Sequence, residues 1–274
     1  MEGKIIIIVQ ARMASTRLPG KVMLPVLGKS LLALMTERLK QVRYPASIVI
    51  ATSTNADDDV IECEAENLQL PCYRGSLDNL LDRHYRAAKE AGARYVLKIP
   101  SDCPLIDARI IDHVLDQFFM PDSNYDFVSN LHPATYPDGN DVEVMTIDCL
   151  ERAWTDAKKP LELEHTTPYI WENPELFRIG NVTWETGLDY SMSHRFTIDY
   201  REDYEFIKRV FEKLYPQNPA FTCEDIINLL NREPEIQKLN ADYIGVNWYR
   251  HHLGELKTIS PGSTRHAPLT EQKI

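Results

Sequence analysis

KIIIIVQARMASTRLPGK, residues 4–21, sets an unbroken apolar run against a loop that carries Arg12, Arg17 and Lys21. Ile5 to Val9 are apolar at every position rather than at alternate ones. That pattern reads as a strand covered on both faces, as in a parallel sheet. Ligands of such sheets bind where loops leave the carboxyl ends of the strands. The loop 10–29 leaves such an end, and it is basic where the chain is not. The 274 residues carry a formal net charge of −11, yet the first thirty hold five Lys or Arg against one Glu.

Working outward, SIVIAT (47–52), YVLKI (95–99) and DFVSN (126–130) are further strands. Between the first two strands Ser30 caps a helix running through Val42, with Leu31, Leu34, Met35, Leu39 and Val42 turned to the core. Helices are expected near 57–68, 77–91 and 106–119. The β-α alternation predicts an α/β protein, a mostly parallel sheet with helices on both faces. Beyond residue 131 the pattern loosens. YPDGNDVEVM (136–145) has a turn at Asp138-Gly139-Asn140, then an alternation that puts Asp141 and Glu143 on one strand face. Helices near 147–157, 162–172, 201–214 and 222–231 surround a short strand, RFTID (195–199). YIGVNWY (243–249) reads as packing, in the core or at a dimer seam. The polar end, SPGSTRHAPLTEQKI (260–274), reads as a disordered tail.

Composition narrows the function. An acidic chain lacks the basic surface that nucleic-acid binding needs, whereas a local basic loop suits a small anionic ligand. No apolar stretch approaches eighteen residues, so no membrane span is expected. The five cysteines are widely and irregularly spaced without a CxxC pair. They indicate neither a disulfide framework nor a zinc site, and a cytoplasmic location is expected.

The loop is neither a Walker phosphate loop, since Val22 follows Lys21, nor a GxGxxG dinucleotide turn. It combines two guanidiniums and an ammonium with Ala14, Ser15, Thr16 and the Pro19-Gly20 turn. Small residues let backbone N–H groups approach phosphate oxygens while Arg and Lys neutralise them. On charge alone a solvated surface loop fits equally well.

The ordered set ARMASTRLPGK (11–21), ATSTNADDD (51–59), YRGSLDNLLDRHYRAA (73–88), SDCPLID (101–107), YPDGNDVEV (136–144), EHTTPYI (164–170) and RFTIDYREDYE (195–205) resembles the spore coat polysaccharide biosynthesis protein F family. That family belongs with the cytidylyltransferases that make CMP-activated sugar acids. The resemblance spans about residues 4–215 and implies a Rossmann-like nucleotidyltransferase fold of the glycosyltransferase-A kind. It implies one domain over 1–259, with nucleotide-binding residues in 1–130 and the acceptor and second metal acid in 131–259.

The resemblance also implies roles. Residues 11–21 wrap a nucleoside triphosphate, with Arg12, Lys21 and Arg17 on its phosphates. The expected nucleotide-binding set is Ala11, Arg12, Met13, Ser15, Thr16, Arg17, Lys21, Ser53, Arg74, Ser76 and Asp102. Asp102 and Asp199 are the expected ligands of Mg2+, which favours carboxylates together with phosphate oxygens and water. Their carboxylates are then expected within about 4–7 Å, with mutual repulsion raising at least one pKa when no metal is bound. Asp141, Glu143 and His165 are acceptor-side candidates; a polar strand face, for the two acids, and packing, for His165, are the alternatives. Tyr73 to Ser76 are read as opening a helix toward base or ribose.

The chain departs from the family pattern at Ala14, Ser101 and Tyr200-Arg201, none of which removes a charged group. The expected reaction transfers CMP from CTP to a hydroxyl of a sugar or sugar acid and releases pyrophosphate, in surface polysaccharide synthesis by a possible homodimer. A glycosyltransferase of the same fold and a non-catalytic nucleotide-binding partner are the alternatives.

Overall fold

The computed structural model describes residues 3–266. In chain order its strands are β1 (Ile5–Gln10), β2 (Pro25–Val26), β3 (Lys29–Ser30), β4 (Ala46–Ser53), β5 (Cys72–Gly75), β6 (Tyr95–Pro100), β7 (Phe127–Ser129), β8 (Glu143–Thr146) and β9 (Ile179–Asn181). The helices are α1 (Leu31–Leu39), α2 (Asp59–Asn67), α3 (Leu80–Glu90), α4 (Ala108–Phe118), α5 (Ile147–Asp156), α6 (Pro160–His165), α7 (Pro168–Trp171), α8 (Arg201–Leu214), α9 (Cys223–Arg232) and α10 (Pro234–Gln237). Seven strands form one sheet in the order β5-β4-β1-β6-β8-β7-β9, and β2-β3 is a small separate ribbon. β1 is central and pairs in parallel with β4 and β6. β8 runs antiparallel to both β6 and β7, every other pairing of the seven-stranded sheet is parallel, and the β2-β3 ribbon is antiparallel. No helix among the described residues is long and apolar enough to cross a membrane.

The continuous apolar run of β1 has the expected cause. Ile7 and Val9 enter one core with α1, α4 and α8, while Ile6 and Ile8 enter the opposite core with α3 and α5. Alternate side chains of a strand point to opposite faces, and here both faces are dry. Ser30 caps α1 as expected, its Oγ accepting from Ala33 N at 2.9 Å.

Four local readings are corrected. Cys72–Gly75 is an edge strand beside β4 rather than a helix start. The helix expected over 162–172 is two short ones, because Thr166 adopts a left-handed φ of 73° between them. Only Glu143 of the pair Asp141/Glu143 lies in a strand; Asp141 stands in the loop before it. RFTID is no strand. It makes a single bridge, Arg195 to Asp138, and otherwise lies extended across loop backbones. Its alternation is nonetheless real: Phe196 and Ile198 are fully buried, while Arg195, Thr197 and Asp199 line a cavity.

This segment is pinned from two sides. Ile198 N donates to Asp102 O at 2.8 Å, and Thr197 Oγ1 donates to the same oxygen at 3.0 Å. On the other side Phe196 N donates to Asp138 O. A Cβ on Gly139 would stand 2.6 Å from Phe196 C and Thr197 N, so only glycine permits this approach. At the far end of the chain, Arg265 N donates to Gly245 O at 2.7 Å and Asn247 N to Thr264 Oγ1 at 3.0 Å. The part of the expected tail up to residue 266 is therefore docked on the loop at 245–247; the rest lies outside the described residues.

One buried charge cluster joins these pieces. The Arg195 side chain is 1% exposed and bonds Asp203 with Nε and Nη2 at 2.9 and 3.0 Å, Asp138 at 3.1 Å and Asp199 at 3.2 Å. Asp203 is fully buried at the first turn of α8, where it also accepts from the N–H groups of Asp199 and Tyr200 and from Asn240. Removing one partner of a buried pair leaves an uncompensated charge, at a cost of about 3–5 kcal/mol. Asp203→Ala is expected to lose about that much in urea unfolding; a loss below about 1 kcal/mol, the scale of an exposed pair, would contradict the role given to this cluster.

Candidate active site

Above the carboxyl ends of β1 and β6 lies a cavity of about 900 Å³. It is lined by the loop 10–22, by Pro100 to Asp102, by the turn at 136–141 and by Arg195, Thr197 and Asp199. Its far side is formed by His132, His165, Trp171, Trp248 and Tyr249.

At the centre, Lys21 Nζ donates to Asp199 Oδ1 at 2.9 Å, to Asp102 Oδ2 at 3.3 Å and to Ile198 O at 2.7 Å. The two carboxylate oxygens therefore lie no further apart than the sum of the first two distances. Arg17 adds a second cation, with Nη2 2.7 Å from Asp199 Oδ1. Lys21 is placed by the Pro19-Gly20 turn: Gly20, at φ 68°, leads into a 3-10 turn at Lys21–Met23. Burial alone would lower the Lys21 pKa, but Asp102 and Asp199 outweigh it and raise the ammonium above its ordinary value.

The Asp199 carboxyl departs from expectation. Burial would raise it, yet Lys21, Arg17 and Arg195 surround it and hold it at about 2. The expected repulsion between acids falls elsewhere. Burial, reinforced by Asp141, Asp199 and Asp203 against the opposing Arg195, lifts Asp138 to about 8. One guanidinium shared among three carboxylates does not neutralise them all. Burial and the neighbouring Asp102 and Glu143 lift Asp141 to about 6, against Lys98 and the Gly139 N–H.

Of the residues expected at the site, Ala11, Arg12, Ser15, Thr16, Arg17, Lys21, Asp102, Asp141, Glu143, His165 and Asp199 line this one cavity. Met13, Ser53, Arg74 and Ser76 do not. Met13 N donates to Asp58 Oδ1 at 2.6 Å, and the Ser53 hydroxyl donates to the other oxygen of that carboxylate. Arg74 is held by Asp59 at 2.6 Å and Glu62 at 2.7 Å and donates to Ser53 O. Ser76 Oγ accepts from Asn79 N at 3.1 Å, steadying the entry to α3. Met13, Ser53 and Arg74 are thus tied into the footing of the loop, and Ser76 into the entry to α3.

Sequence reasoning missed Lys98, His132, Trp171 and Trp248, which also line the cavity. Lys98 and Glu143 form a buried ion pair across β6 and β8. Trp248 stacks on His165 with centroids 3.7 Å apart, and His132 on Trp171 at 4.4 Å. The aromatic stretch 243–249 thus contributes to the cavity wall, not only to packing; its density of aromatic residues was the available signal.

Comparisons with known proteins agree over most of the chain. A family model described as cytidylyltransferase matches residues 6–236. The spore coat polysaccharide biosynthesis protein SpsF of Bacillus subtilis is 31% identical over 84% of this chain and 95% of its own length. The structure of a cytidylyltransferase from Leptospira borgpetersenii superposes with a TM-score of 0.81 at 35% identity, covering 86% of this chain and 97% of that one. The 3-deoxy-manno-octulosonate cytidylyltransferase of Bdellovibrio bacteriovorus is 28% identical over 58% of this chain and 64% of its own.

The cavity's histidines give a pH prediction. Burial, with Lys98, His252 and Arg12 adding to it, depresses His165 from 6.5 to about 3. A depressed folded value means that the unfolded chain takes up the proton first. Stability is therefore full above the unfolded value and is lost as pH falls toward the folded one, by up to about 1.4 kcal/mol per pH unit for each such group. Between pH 6.5 and 4, His165→Gln is expected to lose stability with a visibly shallower slope than the parent protein in urea titrations. Identical slopes would show that this ring titrates as it does in water.

Proposed function

Because the chain belongs to the cytidylyltransferase family, we propose that it transfers CMP from CTP to a hydroxyl of a sugar or sugar acid, releasing pyrophosphate, with Mg2+ as cofactor, in surface polysaccharide synthesis. The observation that carries this reading is the Lys21 ammonium seated between Asp102 and Asp199 beneath a loop that also presents Arg12 and Arg17. The hydroxyl attacks the α-phosphorus while the bond to pyrophosphate breaks. No covalent nucleophile is needed, since positioning and charge neutralisation carry phosphoryl chemistry.

The donor set fits a divalent cation. Two carboxylates from distant parts of the chain converge on a point already occupied by a positive group. Among the described residues no cluster of three or more ligating side chains is arranged to hold a metal alone. Asp102 and Asp199 would hold the ion, with phosphate oxygens and water completing the shell as magnesium prefers. When bound, magnesium supplies charge neutralisation and lowers the pKa of a coordinated hydroxyl.

The chain's own residues account for the rest. Arg12, Arg17 and Lys21 neutralise phosphate oxygens, and Ser15 and Thr16 leave room for the backbone to approach them. On the acceptor side, the stacked His165–Trp248 pair offers a flat face to a sugar ring, and Asp141 accepts hydrogen bonds from its hydroxyls. Glu143 is tied to Lys98, so it orients the lysine more than it meets a substrate.

Pyrophosphate release measured with four triphosphates against sugar acids and neutral sugars is expected to depend on CTP and Mg2+. Arg12→Ala is expected to cost about 2–4 kcal/mol of transition-state stabilisation, as for loss of one preorganised donor. Asp102→Asn and Asp199→Asn should each reduce turnover by at least about 100-fold, and the double change should cost little more than either alone. Wild-type turnover in both single variants would sink this reading.

A further inference from the structure

Beyond α10 the chain closes on itself against the far side of the cavity. The ends of this stretch meet where Arg265 N donates to Gly245 O at 2.7 Å, and Asn247 donates to Thr264 Oγ1 and to Ser263 O, each at 3.0 Å. Gly245 holds φ 77° at this neck, where a Cβ would also stand 2.9 Å from Met192 Cε. Residues 245–265 thus form an Ω-shaped loop with a closed base. Long, packed loops inside compact domains are usually functional. This one lies outside residues 6–236, the stretch matched by the family model, so the family likeness gives it no role.

A buried acid pins the other end of the loop. Glu172, 5% exposed at the end of α7, accepts from Lys257 N at 2.7 Å, Thr258 N at 2.9 Å and Thr258 Oγ1 at 2.6 Å. Hydrogen bonds to an ionised carboxylate are the stronger kind. Trp171, the residue before Glu172, stands in the cavity wall. Leu256 is buried in the same cluster as Trp171, and Trp248, Tyr249 and Ile259 pack against that cluster. The loop is therefore held in one register against the wall.

The face that it turns to the cavity is uncharged. Val246 to Tyr249, Thr258, Ile259, Gly262 and Ser263 line it, with no Asp, Glu, Lys or Arg among them. Trp248 is held flat there by its stack on His165. The neighbouring turn and strand instead bring Asp138, Asp141 and Glu143. An aromatic, uncharged wall offers no cation to a phosphate, but it suits the C–H face of a ring whose hydroxyls point elsewhere.

We propose that the loop 245–265 selects the acceptor: Trp248, flanked by Ile259, packs against an uncharged C–H face of the sugar ring. Glu172 is a positioning residue that sets Trp248 by fixing the loop. The proposal rests on the transferase reading above and names the wall that chooses its acceptor.

The test has two readouts in the parent protein, Trp248→Ala, Trp248→Phe and Glu172→Ala, with thermal melts as a check on folding. The first is kcat and KM for CTP and for the best acceptor among sugar acids and neutral sugars. Trp248→Ala and Glu172→Ala are expected to raise the acceptor KM by about 10-fold or more and to leave the CTP KM within about 2-fold. Trp248→Phe keeps a flat ring and should stay within about 3-fold of the parent for both substrates. Equal shifts for both substrates in the alanine variants, or none for the acceptor, overturn the proposal. The second readout is saturation-transfer NMR on the same sugars with CMP present, which reports contact with ring C–H groups without turnover. Transfer to the sugar is expected in the parent and is expected to be lost in Trp248→Ala. Equal transfer in that variant, or transfer to no sugar in the parent, overturns the proposal. If sugars bind in this way while no triphosphate releases pyrophosphate, the transferase reading fails and the loop's role as a sugar-binding wall stands.

Discussion

The buried guanidinium of Arg195 is the constraint on which the site depends. It binds Asp203 at the start of α8, Asp138 in the turn before β8 and Asp199 at the cavity, with its own side chain only 1% exposed. Segments distant in sequence are thereby fixed to one point. The backbone bonds from Ile198 and Thr197 to Asp102 O then set the second acid beside the first. A charge so deeply buried is tolerable only when fully paired. Arg195 therefore acts by position: it fixes Asp199 at the carboxyl edge of the sheet, where Lys21 and Arg17, together with Arg195, outweigh burial and hold the carboxyl ionised.

The same electrostatics bear on how an acidic protein would accept the proposed triphosphate. The cavity concentrates carboxylates, but Lys21 and Arg17 pair with Asp199, and Lys98 pairs with Glu143. Positive groups are held ready against internal anions that a cation can take over. On the proposed reading, a triphosphate arriving with such a cation would exchange partners instead of meeting bare charge, which would limit the desolvation cost that like-charged crowding imposes.

Much of this was legible in the sequence. The Ile5 to Val9 run marks a two-faced strand because both sides of β1 are dry, and Ser30 marks a helix start because its oxygen has a backbone N–H to accept. The motifs that carry the family resemblance fall within the region matched by the family model. What escaped reading shares a physical cause. RFTID alternates as a strand does, but alternation records only which side chains are buried, not whether the backbone bonds a strand or a loop. Arg74 looked available until Asp59 and Glu62 were found to hold it. Arg195 and Arg83 are polar side chains inside the fold, and burial of a polar group leaves no local periodicity to detect; Asp138, one partner of Arg195, comes from a distant segment.

The central claim is that Asp102 and Asp199 share one divalent cation with the nucleotide triphosphate. Anomalous scattering from crystals grown with Mn2+ and a non-hydrolysable CTP analogue tests it most directly. The account predicts a manganese peak coordinated by both carboxylates and by phosphate oxygens, with Lys21 turned from the acids to the phosphates. A well-ordered nucleotide whose metal touches neither acid, or with Lys21 still between the two carboxylates, would contradict it.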